Sequence, residues 1–320
     1  MFRPRARILA AAALLAAMAG PAARPAAESP RELRVAAVQL SLSAADLASR
    51  DAFQRHIGSL VGRCLPFRPD LILFPEYASV FLALLPHGRD IQGAKTVREA
   101  FLRVRAREPL AGSLRELLLL NSGLAERSAQ ELFGGLARRH GVAIGAGTYF
   151  ACAGGPGEPV RLVNRAVIFD SSGQVLHLQD KVFLTPFEAD LLGVEPGRLD
   201  QAAPFLLQGR RIGLTLCRDT FFAEWEQRMA GAELWVDLKA NGEPYSEQAR
   251  ESFQRALPAR LPGSGVPYGL TLCLTGALFD LVWEGQSFLA QQTGGEVRLV
   301  VQAASDDSEE ILFVSLPAAD

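Results

Sequence analysis

The chain has 320 residues, 49% of them hydrophobic and 21% charged, which is ample apolar material for a large buried core and excludes a disordered protein. Its 33 basic and 35 acidic side chains give a net charge of −2, and no basic stripe interleaved with aromatics occurs, which argues against nucleic-acid binding as the main role. Four cysteines, Cys64, Cys152, Cys217 and Cys273, are widely spaced, and a core of this size does not need disulfides; with Cys217 free, at most one could form among the other three.

Arg3, Arg5 and Arg7 precede an apolar run from Ile8 to Ala19, followed by small residues and by Pro21 and Pro25. Residues 1–27 thus carry the pattern of a secretory signal, cleaved or retained as an anchor. The run is shorter than the roughly 20 residues of a spanning helix, and no later segment is long and apolar enough, so no stable membrane insertion is expected once the signal is removed. Its loss removes Arg3, Arg5, Arg7 and Arg24 and no acid, taking the charge from −2 to −6. The product is expected to be exported, periplasmic or secreted. With no Pro/Ser-rich linker and no internal repeat, residues 28–320 read as one domain.

Within it, Arg34 to Leu40 (RVAAVQL) reads as a buried strand, Ala44 to Cys64 as a helix and Leu71 to Phe74 as a strand. The stretch from Ser79 to Gln130 is unusually long for a connection. Its apolar segments, Val80 to Leu85 and Leu114 to Leu120, read as short helices packed over a sheet, with a substrate-covering lid as the alternative. Ser128 to His140 is helical. Val142 to Thr148, Ala166 to Asp170 and Val175 to Gln179 are extended, the last two joined by a turn at Ser172-Gly173. Gly145-Ala146-Gly147 lacks the third glycine of a phosphate loop and reads as tight strand packing. A strand from Arg211 to Leu216, a helix from about Phe222 to Ala230, a strand from Leu234 to Leu238 and a helix from Ser246 to Leu257 follow. From Leu270 onward the chain is mainly β. Strands alternating with helices, then a β-rich last quarter, predict a layered α/β architecture with helices covering sheet faces.

Three segments place a reactive side chain just beyond a buried strand, where α/β folds present their catalytic groups. These are Glu76 in LILFPEY, Lys181 with Glu188 in DKVFLTPFE, and Cys217 in RIGLTLCRD. Each alone has a plain structural reading: a helix cap, a surface ion pair and a buried cysteine. Together they resemble the nitrilase, or carbon–nitrogen hydrolase, superfamily in order, local sequence and spacing. The opening RVAAVQL, the DSSGQVL turn, the GAELWVDLKAN stretch and the WEGQSFL strand look like corresponding family segments.

The resemblance implies a four-layer α-β-β-α sandwich, pairing with a second subunit, and no cofactor or metal. It gives Cys217 as nucleophile, Glu76 as general base and Lys181 as oxyanion partner. Glu188 is the candidate second glutamate that positions the lysine, although it follows Pro186-Phe187 directly, one residue earlier than in many relatives. Arg218, beside the nucleophile, is available to an anionic substrate group or to a salt bridge with Asp219 or Glu224. Asn241 falls where relatives line the substrate pocket. Elementary chemistry agrees with these roles: a cysteine of pKa near ~8.5 is mostly protonated at neutral pH and needs a base, and a developing oxyanion needs fixed donors, here an ammonium and the Arg218 N–H.

The implied reaction is hydrolysis of a small-molecule linear carboxamide through a cysteinyl thioester. An N-acyltransferase, in which an amine resolves the thioester, and a non-catalytic binding protein of the same fold are the alternatives. Serine hydrolase and zinc hydrolase readings lack their motifs, and His56, His87, His140 and His177 have no recognisable cysteine–histidine context. The N-terminal pattern predicts that terminal sequencing of the exported protein will find a start between residues 20 and 28; an intact Met1 form confined to the cytosol would refute it.

Overall fold

The computed structural model describes residues 32–318 except 108, 110 and 156, so the expected signal segment, 1–27, lies outside the described residues. In chain order the strands are β1 (Leu33–Gln39), β2 (Ser41–Leu42), β3 (Leu71–Leu73), β4 (Ala143–Ala153), β5 (Arg161–Phe169), β6 (Val175–Asp180), β7 (Phe205–Leu207) and β8 (Arg210–Leu216). They continue as β9 (Leu234–Lys239), β10 (Tyr268–Cys273), β11 (Thr275–Leu278), β12 (Leu281–Trp283), β13 (Phe288–Thr293), β14 (Glu296–Gln302) and β15 (Glu310–Leu316). Two six-stranded sheets carry the fold, ordered β15-β1-β3-β4-β5-β6 and β14-β13-β10-β9-β8-β7, beside a small sheet β12-β11-β2.

The side-chain alternation of a strand sends successive residues to opposite faces, and here both faces are apolar. Val35, Ala37, Leu71 and Leu73 of the first sheet meet Leu214, Leu216, Val236, Leu238 and Leu270 of the second in one core between the sheets. Their neighbours Ala36, Val38, Ile72 and Phe74 face outward into a second core, shared with the helices Arg50–Cys64 and Leu114–Ala129. On the far side, Trp235, Cys273 and Phe288 pack with Trp225, Phe253, Leu257 and Leu261 from the helices Glu224–Met229, Glu247–Arg255 and Leu257–Ser264. Helix, sheet, sheet, helix is therefore the layer order, as the motifs implied.

Some expected elements move. The first helix runs from Arg50 rather than from Ala44, because the Ser43 N–H and hydroxyl bond Asp46 in a turn while the Ser49 side chain caps the helix at the Ala52 N–H. Between 79 and 130 lie two 3-10 turns, Val80–Ala83 and Leu85–His87, and the helices Gly88–Ile91, Val97–Arg105 and Leu114–Ala129. The last is longer than expected, because it continues through a π turn at Gln130–Gly134 into Gly135–His140, the segment read as a separate helix. All four cysteines are free.

Gly145 to Thr148 form a bulge in β4. Gly147 has φ +67 there, and a β-carbon on it would stand 2.0 Å from the Pro75 carbonyl oxygen, so only glycine lets β4 approach the turn that carries Glu76.

His56 ties the first helix to the C-terminal segment, with Nδ1 2.7 Å from Asp46 and Nε2 2.6 Å from Glu309. The hydrogen bonds to Asp46 and Glu309 raise its pKa from 6.5 to about 9 against the opposing effect of burial. A raised folded-state pKa gives stability that is full below about 6.5 and is lost as pH rises through about 9. The stability difference between the wild type and His56→Gln, followed by urea unfolding, is expected to shrink between pH 6 and pH 9.5; a difference constant across that range would contradict it.

Candidate active site

Glu76, Lys181 and Cys217 stand just beyond β3, β6 and β8, and all three line one cavity. Glu76 sits in a tight turn in which Tyr77 has φ +63, held by its N–H on the Thr148 hydroxyl (2.9 Å). The Glu76 carboxylate is 1% exposed and fully engaged. Oε1 accepts from Lys181 Nζ at 2.8 Å and Asn164 Nδ2 at 3.0 Å, and Oε2 accepts from the Ala240 N–H at 3.0 Å.

Lys181 Nζ lies between two carboxylates, 2.8 Å from Glu76 and 2.8 Å from Glu188 Oε2. Glu188 is fully buried behind it. Its Oε1 accepts from Asn164 (2.9 Å), and its Oε2 accepts from the N–H and hydroxyl of Thr185 (2.9 Å each). The one-residue displacement from the family spacing therefore still brings Glu188 onto the lysine. A π turn at Phe187–Leu191 carries it.

Charges respond to this crowding in different ways. Burial lowers the Lys181 pKa, but Glu76, Cys217 and Glu188 outweigh it and hold the ammonium protonated. Burial raises the Glu188 carboxyl, yet Lys181, Thr185 and Asn164 pull it below its ordinary value. Glu76 ends above its ordinary value, because burial and the charges of Glu188 and Asp237 exceed the pull of Lys181. Of the two carboxylates, Glu76 is thus the one with affinity for a proton.

Cys217 follows β8 and opens a 3-10 turn, Cys217–Phe221, with φ +53. A left-handed conformation in a residue with a β-carbon costs about 1–3 kcal/mol and needs support. Its support is a second buried ion pair. Asp237 Oδ1 accepts the Cys217 N–H at 2.9 Å, Lys239 Nζ donates to the Cys217 carbonyl at 3.2 Å, and Asp237 and Lys239 are 2.9 Å apart. Thr220 closes the set: its hydroxyl lies 3.0 Å from Asp237 and 2.8 Å from the Cys217 carbonyl, with one proton to give to either. Both peptide groups of Cys217 are therefore held. Because its carbonyl shares a peptide plane with the Arg218 N–H, Lys239 also fixes the direction of that N–H. Burial, with Glu76 adding to it, pushes the Cys217 thiol up to about 12, so the resting sulfur is protonated.

Asp219 does not pair with Arg218. It is fully buried and accepts the N–H groups of Phe183 (2.8 Å), Val182 (3.1 Å) and Leu216 (3.3 Å), joining the lysine loop to the cysteine loop. Burial raises its carboxyl to about 8 against the pull of those donors. Arg218 lines the cavity with its guanidinium 6.0 Å from the centre of the Phe222 ring. Asn241 also lines the cavity, but its side-chain amide donates to the carbonyls of Glu243 (2.7 Å) and Glu284 (3.0 Å) and so shapes the loop.

Sequence reading missed Asn164, Asp237 and Lys239. Two charges in a strand otherwise made of apolar residues, LWVDLK, were the available signal, since buried charges occur paired. Breaking such a pair leaves an uncompensated buried charge. Lys239→Met is expected to cost about 3–5 kcal/mol in urea unfolding, and Lys239→Met with Asp237→Asn to recover part of it; equal stability of the two variants would show that the pair is not coupled.

A profile of the carbon–nitrogen hydrolase family matches residues 34–254. No curated protein matches the chain. Among solved structures, it is similar to a variant of the amidase from Nesterenkonia sp. AN1 with the acetamide moiety of fluoroacetamide added covalently at its active-site cysteine, at 22% identity and TM-score 0.63 over 91% of this chain and 92% of that one. Another variant of that amidase, in complex with butyramide, gives 22% identity and TM-score 0.62 over 90% and 92%. A carbon–nitrogen hydrolase from Helicobacter pylori G27 gives 19% identity and TM-score 0.59 over 89% of each chain. The fold and the family match together show that this chain belongs to the carbon–nitrogen hydrolase family of the nitrilase superfamily.

Proposed function

We propose that this carbon–nitrogen hydrolase is an amidase working through a Cys217 thioester. The observation that carries the reading is the Glu76 carboxylate, fixed by Lys181, Asn164 and the Ala240 N–H and raised in proton affinity, in the cavity that Cys217 lines. The amidase neighbours with a reactive cysteine are consistent with it.

In this reading the thiol proton passes to Glu76 as the sulfur attacks the amide carbon. Negative charge gathers on the carbonyl oxygen, where the Lys181 ammonium and the Arg218 N–H supply donors. Collapse breaks the C–N bond, and the amine leaves with the proton from Glu76. Water then gives a proton to Glu76 and attacks the thioester carbon; the acid is released and the proton returns to sulfur. Glu188 contributes by keeping Lys181 charged and in place. The signal-like N-terminus makes an exported enzyme part of the proposal.

Cys217→Ala is expected to abolish acyl-adduct formation. Lys181→Ala should keep the thiol but lose about 100- to 1,000-fold in kcat, the ~2.7–4 kcal/mol of an oxyanion donor. Thermal unfolding of the same variant separates this loss from the cost of leaving Glu76 and Glu188 without their cation. Glu76→Gln should slow acylation and make any thioester persist in single-turnover mass spectrometry. Full steady-state activity in Cys217→Ala would show the nucleophile to be misassigned.

A further inference from the structure

The cavity at Cys217 has a volume of about 530 Å³, and its polarity is segregated. Most of its polar side chains belong to the loops at the reacting groups. Arg218 follows Cys217 in the chain, and Asn241 follows Ala240, whose N–H is bonded to Glu76. The wall contributed by 77–118 and by 278–283 is apolar, with Phe81, Leu84, Leu117, Leu118, Phe279 and Trp283 among its members. Phe81 and Trp283 meet edge to face at 6.0 Å and join the two segments. The long connection therefore supplies cavity wall as well as packing, and β11, β12 and the turn between them supply the adjoining wall.

At about 30 Å³ for each water-sized group in a liquid, such a space holds roughly 18 heavy atoms, and a short amide such as butyramide fills about a third of it. The remainder is an apolar surface with few hydrogen-bonding groups to hold water, so it favours an apolar occupant. Between the two half-reactions the amine must leave and water must enter, whereas the acyl group stays bound to sulfur. The apolar part of the cavity consequently belongs to the acyl part.

Resting on the amidase reading, we propose that the substrate is an amide of a long apolar carboxylic acid, with an acyl chain longer than butyryl and up to about 16 carbons by volume. The headgroup is held at Glu76, Lys181 and Cys217. The chain lies along the wall formed by Phe81, Leu84, Leu117, Leu118, Phe279 and Trp283.

The test is a series of straight-chain primary amides from acetamide upward, measured as kcat/KM on the wild type and as acyl-adduct mass at Cys217 in the Glu76→Gln variant. The expected result is a rise of about 4-fold per methylene beyond butyramide, the ~0.8 kcal/mol of a buried CH₂, levelling once the cavity is filled, by about 16 carbons. Leu84→Trp narrows the cavity at a partly exposed position and is expected to shift the optimum to shorter chains. A parallel series of N-alkyl acetamides is expected to show no such rise; a rise there instead of in the acyl series would overturn the acyl assignment. A profile flat or falling from acetamide, with acetamide still acylating Cys217, overturns the apolar-substrate proposal and leaves the amidase reading standing. Failure of every amide both to be hydrolysed by the wild type and to give an adduct overturns the amidase reading itself.

Discussion

The Lys181 ammonium, buried between the carboxylates of Glu76 and Glu188, is the interaction on which the rest of the site depends. Removing three charges from water costs several kcal/mol for each ion, and their mutual attraction repays this only when the remaining lone pairs are also satisfied. Here Asn164, Thr185 and the Ala240 N–H satisfy them. Two carboxylates on one ammonium still leave an excess negative charge. Glu188, with four donors around it, keeps its share of that charge, while Glu76 gains proton affinity.

This cluster also depends on how the two large sheets are stacked. Glu76, Asn164 and Lys181 belong to the first sheet and its connections, whereas Cys217 and Ala240 follow strands of the second. Two polar contacts bridge the sheets at the site: the Ala240 N–H on Glu76, and Asp219 on the Val182 and Phe183 N–H groups. Leucine and valine packing between the sheets sets their separation, so the distance from Glu76 to Cys217 is fixed by core volume. A change of one methylene in that core is felt in a close-packed interior and would reach the site through these bridges.

Much of the site was legible because its residues interrupt apolar runs at strand ends. LILFPE and GLTLC each show a buried segment followed by a polar or thiol side chain, both local properties of the sequence, whereas Lys181 follows β6, an edge strand whose Val175 and Leu178 are exposed. Asn164 was not legible, since an asparagine within RLVNRAVIF looks like an ordinary polar position until strand pairing places it beside Glu76 and Glu188. Asp237 and Lys239 were visible as charges, but their function as braces of Cys217 follows only from the β8–β9 register, which pairs Leu216 with Leu238. The pairing of β1 with β15, across almost the whole chain, is likewise set by long-range packing. At the start of the first helix, Ala44, Ala45 and Leu47 have helical composition, yet the Ser43–Asp46 turn and the Ser49 cap win because each satisfies backbone N–H groups locally.

The site keeps its thiol neutral, with Cys217 at about 12 and a neighbouring Glu76 that itself holds a proton more tightly than an ordinary carboxylate. Both shifts have one main origin, burial, and both favour the neutral form of their group. A thiolate beside an ionised Glu76 would place two negative charges together in a buried cluster whose ammoniums, Lys181 and Lys239, are already shared with Glu188 and Asp237, which is a costly distribution. On the amidase reading, proton transfer and sulfur attack therefore proceed together. The charge that would have stood on sulfur moves onto the substrate oxygen, where Lys181 and the Arg218 N–H are already in place. The braced, left-handed Cys217 contributes to this economy of charge, because a fixed Arg218 peptide needs no reorganisation when the oxyanion forms.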